Sequence, residues 1–184
     1  MNDISVSYNK YKFLGNEFLT WLWYLIENDI NIKTIAESEL KKAGIECESI
    51  VFEIGNCIAL ENSLGDDSVE KISIKGDDPG LEEGKTALKK GAVVTDMNLI
   101  LRVDEDEWKF NIKGESMEIT SLKIPVSGKV EGEDDIEGAV LEKVFLYNKV
   151  FEVVDTLFHF FIKKRVSKEW KTVDINGIKE WVEL

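Results

Sequence analysis

Asp135–Lys164 reads DIEGAVLEKVFLYNKVFEVVDTLFHFFIKK, a stretch without proline and with one early glycine, Gly138. Its apolar residues Val140, Val144, Tyr147, Phe151, Val154, Phe158 and Phe161 advance in alternating steps of four and three, the spacing that aligns side chains on one face of an α-helix. A second seam, Leu146, Val150, Val153, Leu157 and Phe160, runs beside the first in the same steps. Together the seams make an apolar face wider than a surface helix requires, so this helix must be covered on two sides, and its second seam predicts a partner chain. The strip Glu142, Asn148, Lys149, Glu152, Asp155, His159 and Lys163 is the part suited to water.

A chain of 184 residues can bury a substantial core, and the expectation is a single α+β domain over residues 1–184. Hydrophobic residues at 43% and charged residues at 32% exclude wholesale disorder. The net charge of −13 excludes a protein that coats nucleic acid over its whole surface, since phosphate neutralisation requires an excess of Lys and Arg, but it leaves room for a local basic patch. Cys47 and Cys57 form no CxxC pair, and the chain has one His, so neither a structural zinc site nor a disulfide scaffold is expected. Residues 1–11 lack the basic and apolar regions of a leader, and no run of about eighteen apolar residues occurs. The expectation is a cytoplasmic protein with no membrane span.

Working outward from the long helix, residues 1–12 read as a loose arm or short edge strand. Gly15-Asn16 offers an N-cap, after which Phe18, Trp21, Leu22 and Leu25 recur at helical spacing up to Asn28-Asp29. Trp23, Tyr24 and Ile26 widen its apolar surface, which predicts packing against the long helix. Thr34 or Ser38 caps a shorter helix that ends at Gly44. From Glu48 the period becomes two: Ile50, Phe52 and Ile54, then Ile58 and Leu60, then Val69, Ile72 and Ile74. Gly55-Asn56, Gly65-Asp66-Asp67 and Gly76-Asp77-Asp78 bound these runs, which predicts an antiparallel meander with a hairpin at Gly55-Asn56. Pro79 opens a helix over Leu81–Lys90 that Gly91 closes. A second meander follows through Val93–Val103, the acidic turn Asp104–Glu107, Trp108–Ile112 and the strand to Pro125. Residues 126–134 form an acidic, glycine-rich loop, and Trp170, Ile175, Ile178 and Trp181 predict a terminal helix that folds back.

Several patterns resemble functional sites and have simpler explanations. Glu131, Glu133, Asp134, Asp135 and Glu137 lack the spacing of a calcium loop and suit the positive end of the long helix. His159 lies one turn after Asp155 and one turn before Lys163, as a surface helical pair would, and no Ser or Cys stands in a nucleophile motif. Gly84-Lys85-Thr86 imitates the end of a phosphate-binding loop, but Pro79 occupies the position of its first glycine. No metal, cofactor or catalytic residue is therefore expected. The run Lys163, Lys164, Arg165, Lys168 and Lys171, opposed only by Glu169, departs from the overall acidity, and Lys85, Lys89 and Lys90 form a smaller patch.

The segment Phe13-Leu14-Gly15-Asn16-Glu17-Phe18-Leu19-Thr20-Trp21-Leu22-Trp23-Tyr24 resembles the C-terminal half of the RdgC family of bacterial recombination-associated DNA-binding proteins. Gly91-Ala92-Val93-Val94-Thr95 through Leu101, the hairpin Trp108–Lys123 with Gly114-Glu115 and Ser121-Leu122-Lys123, and the acidic lead into the helix ending near Phe161 match in the same order, over about residues 13–165. The resemblance implies an α+β fold, homodimers able to close around duplex DNA, sequence-independent binding, no enzymatic activity and a restraining role toward recombinases. The chain departs from the family in its acidity and in having only Arg102 and Arg165 as arginines, and no individual family contact residue maps onto it. The expectation is a non-enzymatic RdgC-like homodimer associated with duplex DNA or a recombination protein. Lys163, Lys164, Arg165, Lys168, Lys171, Lys89 and Lys90 are its candidate DNA contacts, and Val140, Val144, Tyr147, Phe151, Val154, Phe158 and Phe161 its core or dimer face. The alternative is an acidic interaction or assembly module, of the kind phages and mobile elements carry, that binds a protein and not DNA.

Overall fold

In Val93–Val103 (β3) from Met97 onward, and in Asp106–Lys113 (β4) from Trp108 onward, every second residue is buried, so Leu99, Leu101, Val103, Trp108, Phe110 and Ile112 face one way and their neighbours the other. The computed structural model describes residues 13–64, 68–75, 82–126 and 136–183. Within them the first strand is Ile50–Leu64 (β1), followed by Ser68–Lys75 (β2), and the last is Glu118–Lys123 (β5). The five strands form one antiparallel sheet in the order β2-β1-β3-β4-β5. The two meanders are thus halves of a single sheet, joined where β1 pairs with β3.

No hairpin forms at Gly55-Asn56. β1 runs straight through, and its register against β3 slips between Ile54 and Ile58. Asn98 opposite explains the irregularity: its Oδ1 accepts a hydrogen bond from Asn56 N at 3.0 Å, and a side chain at Gly55 would collide with it. The Asn98 amide also donates to Asn111 Oδ1 at 2.6 Å, so a polar chain crosses three strands at the bulge.

Helices cover the apolar face of the sheet. Phe13–Glu27 (α1) starts earlier than expected; Gly15-Asn16 lies inside it rather than capping it, because buried Gly15 sits against the backbone of Gly114. Ile32–Lys42 (α2) is capped by Asn31, not by Thr34 or Ser38: Asn31 Oδ1 accepts from Thr34 N at 3.0 Å. Gly44 and Gly91, at φ of 75° and 92°, end α2 and Glu82–Lys89 (α3) in the left-handed conformation that glycine adopts without strain. Asp104 and Glu105 alone make the acidic turn, and β4 already begins at Asp106. The 1–12 arm, the turns at 65–67 and 76–78, Pro79 and all but Val126 of the 126–134 loop lie outside the described residues.

The long helix is Ile136–Arg165 (α4), 30 residues or roughly 45 Å at 1.5 Å each. Its C-terminal half is clamped by rings: Phe161 lies 5.6 Å from Phe18, 5.5 Å from Trp21 and 5.4 Å from Trp170. Its middle crosses β4, where buried Trp108 donates its indole N–H to Leu146 O at 3.0 Å and Lys149 Nζ pairs with Asp106 at 3.3 Å. A π-helical turn, Trp170–Asp174, then leads into Ile175–Glu183 (α5), which folds back so that Trp181 meets Trp23 at 5.2 Å. Phe161→Ala is expected to cost about 3–5 kcal/mol of stability, whereas Glu152→Ala, on the exposed polar strip of the same helix, should stay within about 0.5 kcal/mol of wild type in urea unfolding.

Candidate interaction surfaces

Three of the five cations in the basic run at the end of α4 face acids of their own domain. Lys163 pairs with Glu39 of α2. Lys164 Nζ lies 3.1 Å from Oδ2 of Asp174, a carboxylate only 5% exposed. Arg165 donates through Nε to Glu17 Oε2 at 2.6 Å and lies over the Trp170 ring at 5.8 Å. These charges dock α2, the turn at Asp174 and α1 onto the long helix, and the hydrogen bond that Arg165 donates to Glu17 raises the Arg165 pKa above its ordinary value. Lys168 and Lys171 are exposed and have no acidic partner among the described residues, as are Lys89 and Lys90 at the end of α3.

The partners of the run are the residues that sequence reasoning missed. Glu17, Glu39 and Asp174 lie far from residues 163–165 in the chain or beyond a turn, so helical spacing does not connect them. Asp174 did leave a trace: it follows Trp170 and precedes Ile178 by one helical turn each, a charge in an apolar register.

His159 is where the spacing places it, exposed on α4, with Nδ1 at 3.3 Å from Asp155 Oδ2. Lys163, expected on the same strip, turns to Glu39 instead. Cys47 and Cys57 are free thiols; burial and the nearby Asp104 carboxylate push the Cys47 thiol up, which makes it a poor nucleophile. Among the described residues no three His, Cys, Asp or Glu side chains come together as a metal site would require, and no helix is long and apolar enough to cross a membrane.

The seams of α4 divide between two environments. Leu146, Val150, Val153 and Leu157 of the second seam are buried in the domain, with Phe160 half-buried at its end. The first seam is split along its length. Val154 and Phe161 are buried and Phe158 is half-buried, but Val140, Val144, Tyr147 and Phe151 are exposed at 54%, 49%, 44% and 47%. Leu141 and Phe145, each 62% exposed, broaden this stripe. The uncovered surface is therefore the N-terminal half of the first seam rather than the second seam.

A cleft of about 730 Å³ opens between α1, α3 and α5. Phe13, Val93, Trp170, Ile178 and Val182 supply most of its apolar lining. Lys89, Lys179, Glu17 and Glu183 are its charged members.

No protein-family model matches the chain, and no curated protein is significantly similar to it in sequence.

Glu39 supplies a pH signature of this arrangement. Hydrogen bonds from Lys163 and then Lys42 lower its carboxyl pKa from 4.5 to about 2. A carboxylate depressed by folding contributes stability above its unfolded pKa and loses it as pH falls through the folded value. Glu39→Gln should therefore melt below wild type at neutral pH, and the two melting curves should converge as pH falls from about 4.5 to about 2.

Proposed function

We propose that this protein is a non-enzymatic assembly module in which the exposed stripe of α4 packs against the same stripe of a second copy. The continuity of the seam carries this reading. Val140, Val144, Tyr147 and Phe151 extend, in unbroken steps of four and three, the row whose far end at Val154 and Phe161 is already packed inside the domain. Such a heptad row is self-complementary, because each side chain fills a hole between residues of the facing helix. An exposed apolar row of this length marks a contact surface, since its hydration costs on the order of 25 cal/mol per Å². The reading as a non-enzyme is supported by the lone imidazole, His159, being engaged by Asp155 on an open surface.

A second reading keeps the same dimer and adds duplex DNA, as the resemblance to RdgC proteins implies. The unpaired lysines Lys89, Lys90, Lys168 and Lys171 favour it; Lys89 and Trp170, the neighbour of Lys171, line one cleft, which brings the two patches to one side. Internal ion pairs at Lys163, Lys164 and Arg165, together with the −13 net charge, weigh against it. Association with a recombination protein stays open to either reading.

Sedimentation equilibrium should give twice the 21.0 kDa chain mass, and Val144→Glu with Phe151→Glu should return the monomer mass with the fold intact, melting in one cooperative transition below that of the dimer, because association stabilises the native state by mass action. A monomeric wild type would sink the assembly reading. In a low-salt gel shift, the assembly module leaves duplex DNA unshifted at micromolar protein. A shift that disappears when Lys89, Lys90, Lys168 and Lys171 are reversed to Glu, with a salt slope of about −0.9 per phosphate contact, would establish the DNA reading in its place.

A further inference from the structure

The cleft between α1, α3 and α5 shares no residue with the α4 stripe, and it has the features of a ligand site rather than of a protein interface. Its volume of about 730 Å³ falls in the range of small-molecule pockets, which are concave, largely apolar and furnished with a few charged groups. Two of its apolar residues, Phe13 and Val93, are each 44% exposed although they lie in a concavity.

Charge selects the class of occupant. Lys89 and Lys179 are exposed and have no acidic partner among the described residues, although acids outnumber bases across the chain. Glu17 is neutralised by Arg165. That leaves two cations against the single carboxylate of Glu183, a net positive lining in a protein of net charge −13. An apolar body with one anionic head fits this combination, the body suited to Phe13, Val93 and Ile178 and the head to the two lysines of the lining. A cationic or neutral amphiphile would leave Lys89 and Lys179 without a counter-charge. We infer that the cleft binds a medium-chain aliphatic monocarboxylate, through Lys89 and Lys179 at its head and the Phe13, Val93 and Ile178 surface along its chain.

Dodecanoate below its micelle concentration is the probe, titrated calorimetrically into the 184-residue chain. Saturable binding of one dodecanoate per chain is expected, weakened by about tenfold or more in Val93→Glu, where a carboxylate enters the apolar lining, and similarly in Lys89→Glu with Lys179→Glu. Phe13→Asp serves as the second lining variant should Val93→Glu fail to fold. Phe145→Glu, on the α4 stripe, should bind as wild type does. Absence of saturable binding to wild type would overturn the inference. So would equally tight binding of dodecyltrimethylammonium, or a loss in Phe145→Glu matching that in Val93→Glu, which would move the site to the stripe.

Discussion

Phe161 is the point on which the tertiary structure closes. It is fully buried at the crossing of α4 with α1, and the rings of Phe18, Trp21 and Trp170 surround it at 5.4–5.6 Å. Three separate parts of the chain, α1, α4 and the turn after it, thus share one apolar contact. Large rings are effective here because each removes much apolar surface from water and their tilted, edge-on contacts fix relative orientation as well as distance. Once that crossing is set, the direction of α4 is set, and its N-terminal half passes over β4, where Trp108 seizes the Leu146 carbonyl.

The electrostatics follow from the same crossing. The last turn of α4 emerges from the aromatic cluster beside α1, α2 and the π-helical turn, each of which presents one acid to it: Glu17, Glu39 and Asp174. A run that is strongly basic along the chain is in this way largely neutral in space. Of the three pairs, Lys164–Asp174 is the most sheltered, and breaking such a pair from one side leaves a buried charge without compensation. Lys163–Glu39 is a partly exposed tie that salt screens more readily. Within the two basic patches, Lys89, Lys90, Lys168 and Lys171 are left without an acidic partner among the described residues.

Much of the fold was legible because periodicity is a local property. The alternation at Val93–Val103 and Trp108–Ile112, the steps of four and three from Val140 to Phe161, and the stops at Gly44 and Gly91 each depend on residues within a few turns of one another. The failures had non-local causes. Gly55-Asn56 reads as a hairpin turn, and only Asn98, on the neighbouring strand, converts it into a bulge within β1. Gly15-Asn16 reads as a cap, and only the approach of Gly114 explains its burial inside α1. The candidate sites were less legible still, since a row of lysines looks the same in sequence whether the acids that neutralise it are near or far.

The sequence by itself determined the α+β class and the long doubly apolar helix, because hydrophobic spacing within an element is a local property. Only the tertiary structure decided which seam the domain covers. It buries Leu146, Val150, Val153 and Leu157, and it leaves Val140, Val144, Tyr147 and Phe151 exposed. The physical reason is twofold: at Tyr147 and Phe151 the domain covers only the opposite side of the helix, where Leu146 and Val150 are buried, and before Leu146 the 30-residue helix runs past the elements that cover it. The fate of Lys163, Lys164 and Arg165 was decided in the same way, by acids that chain folding, and not chain order, brings within reach.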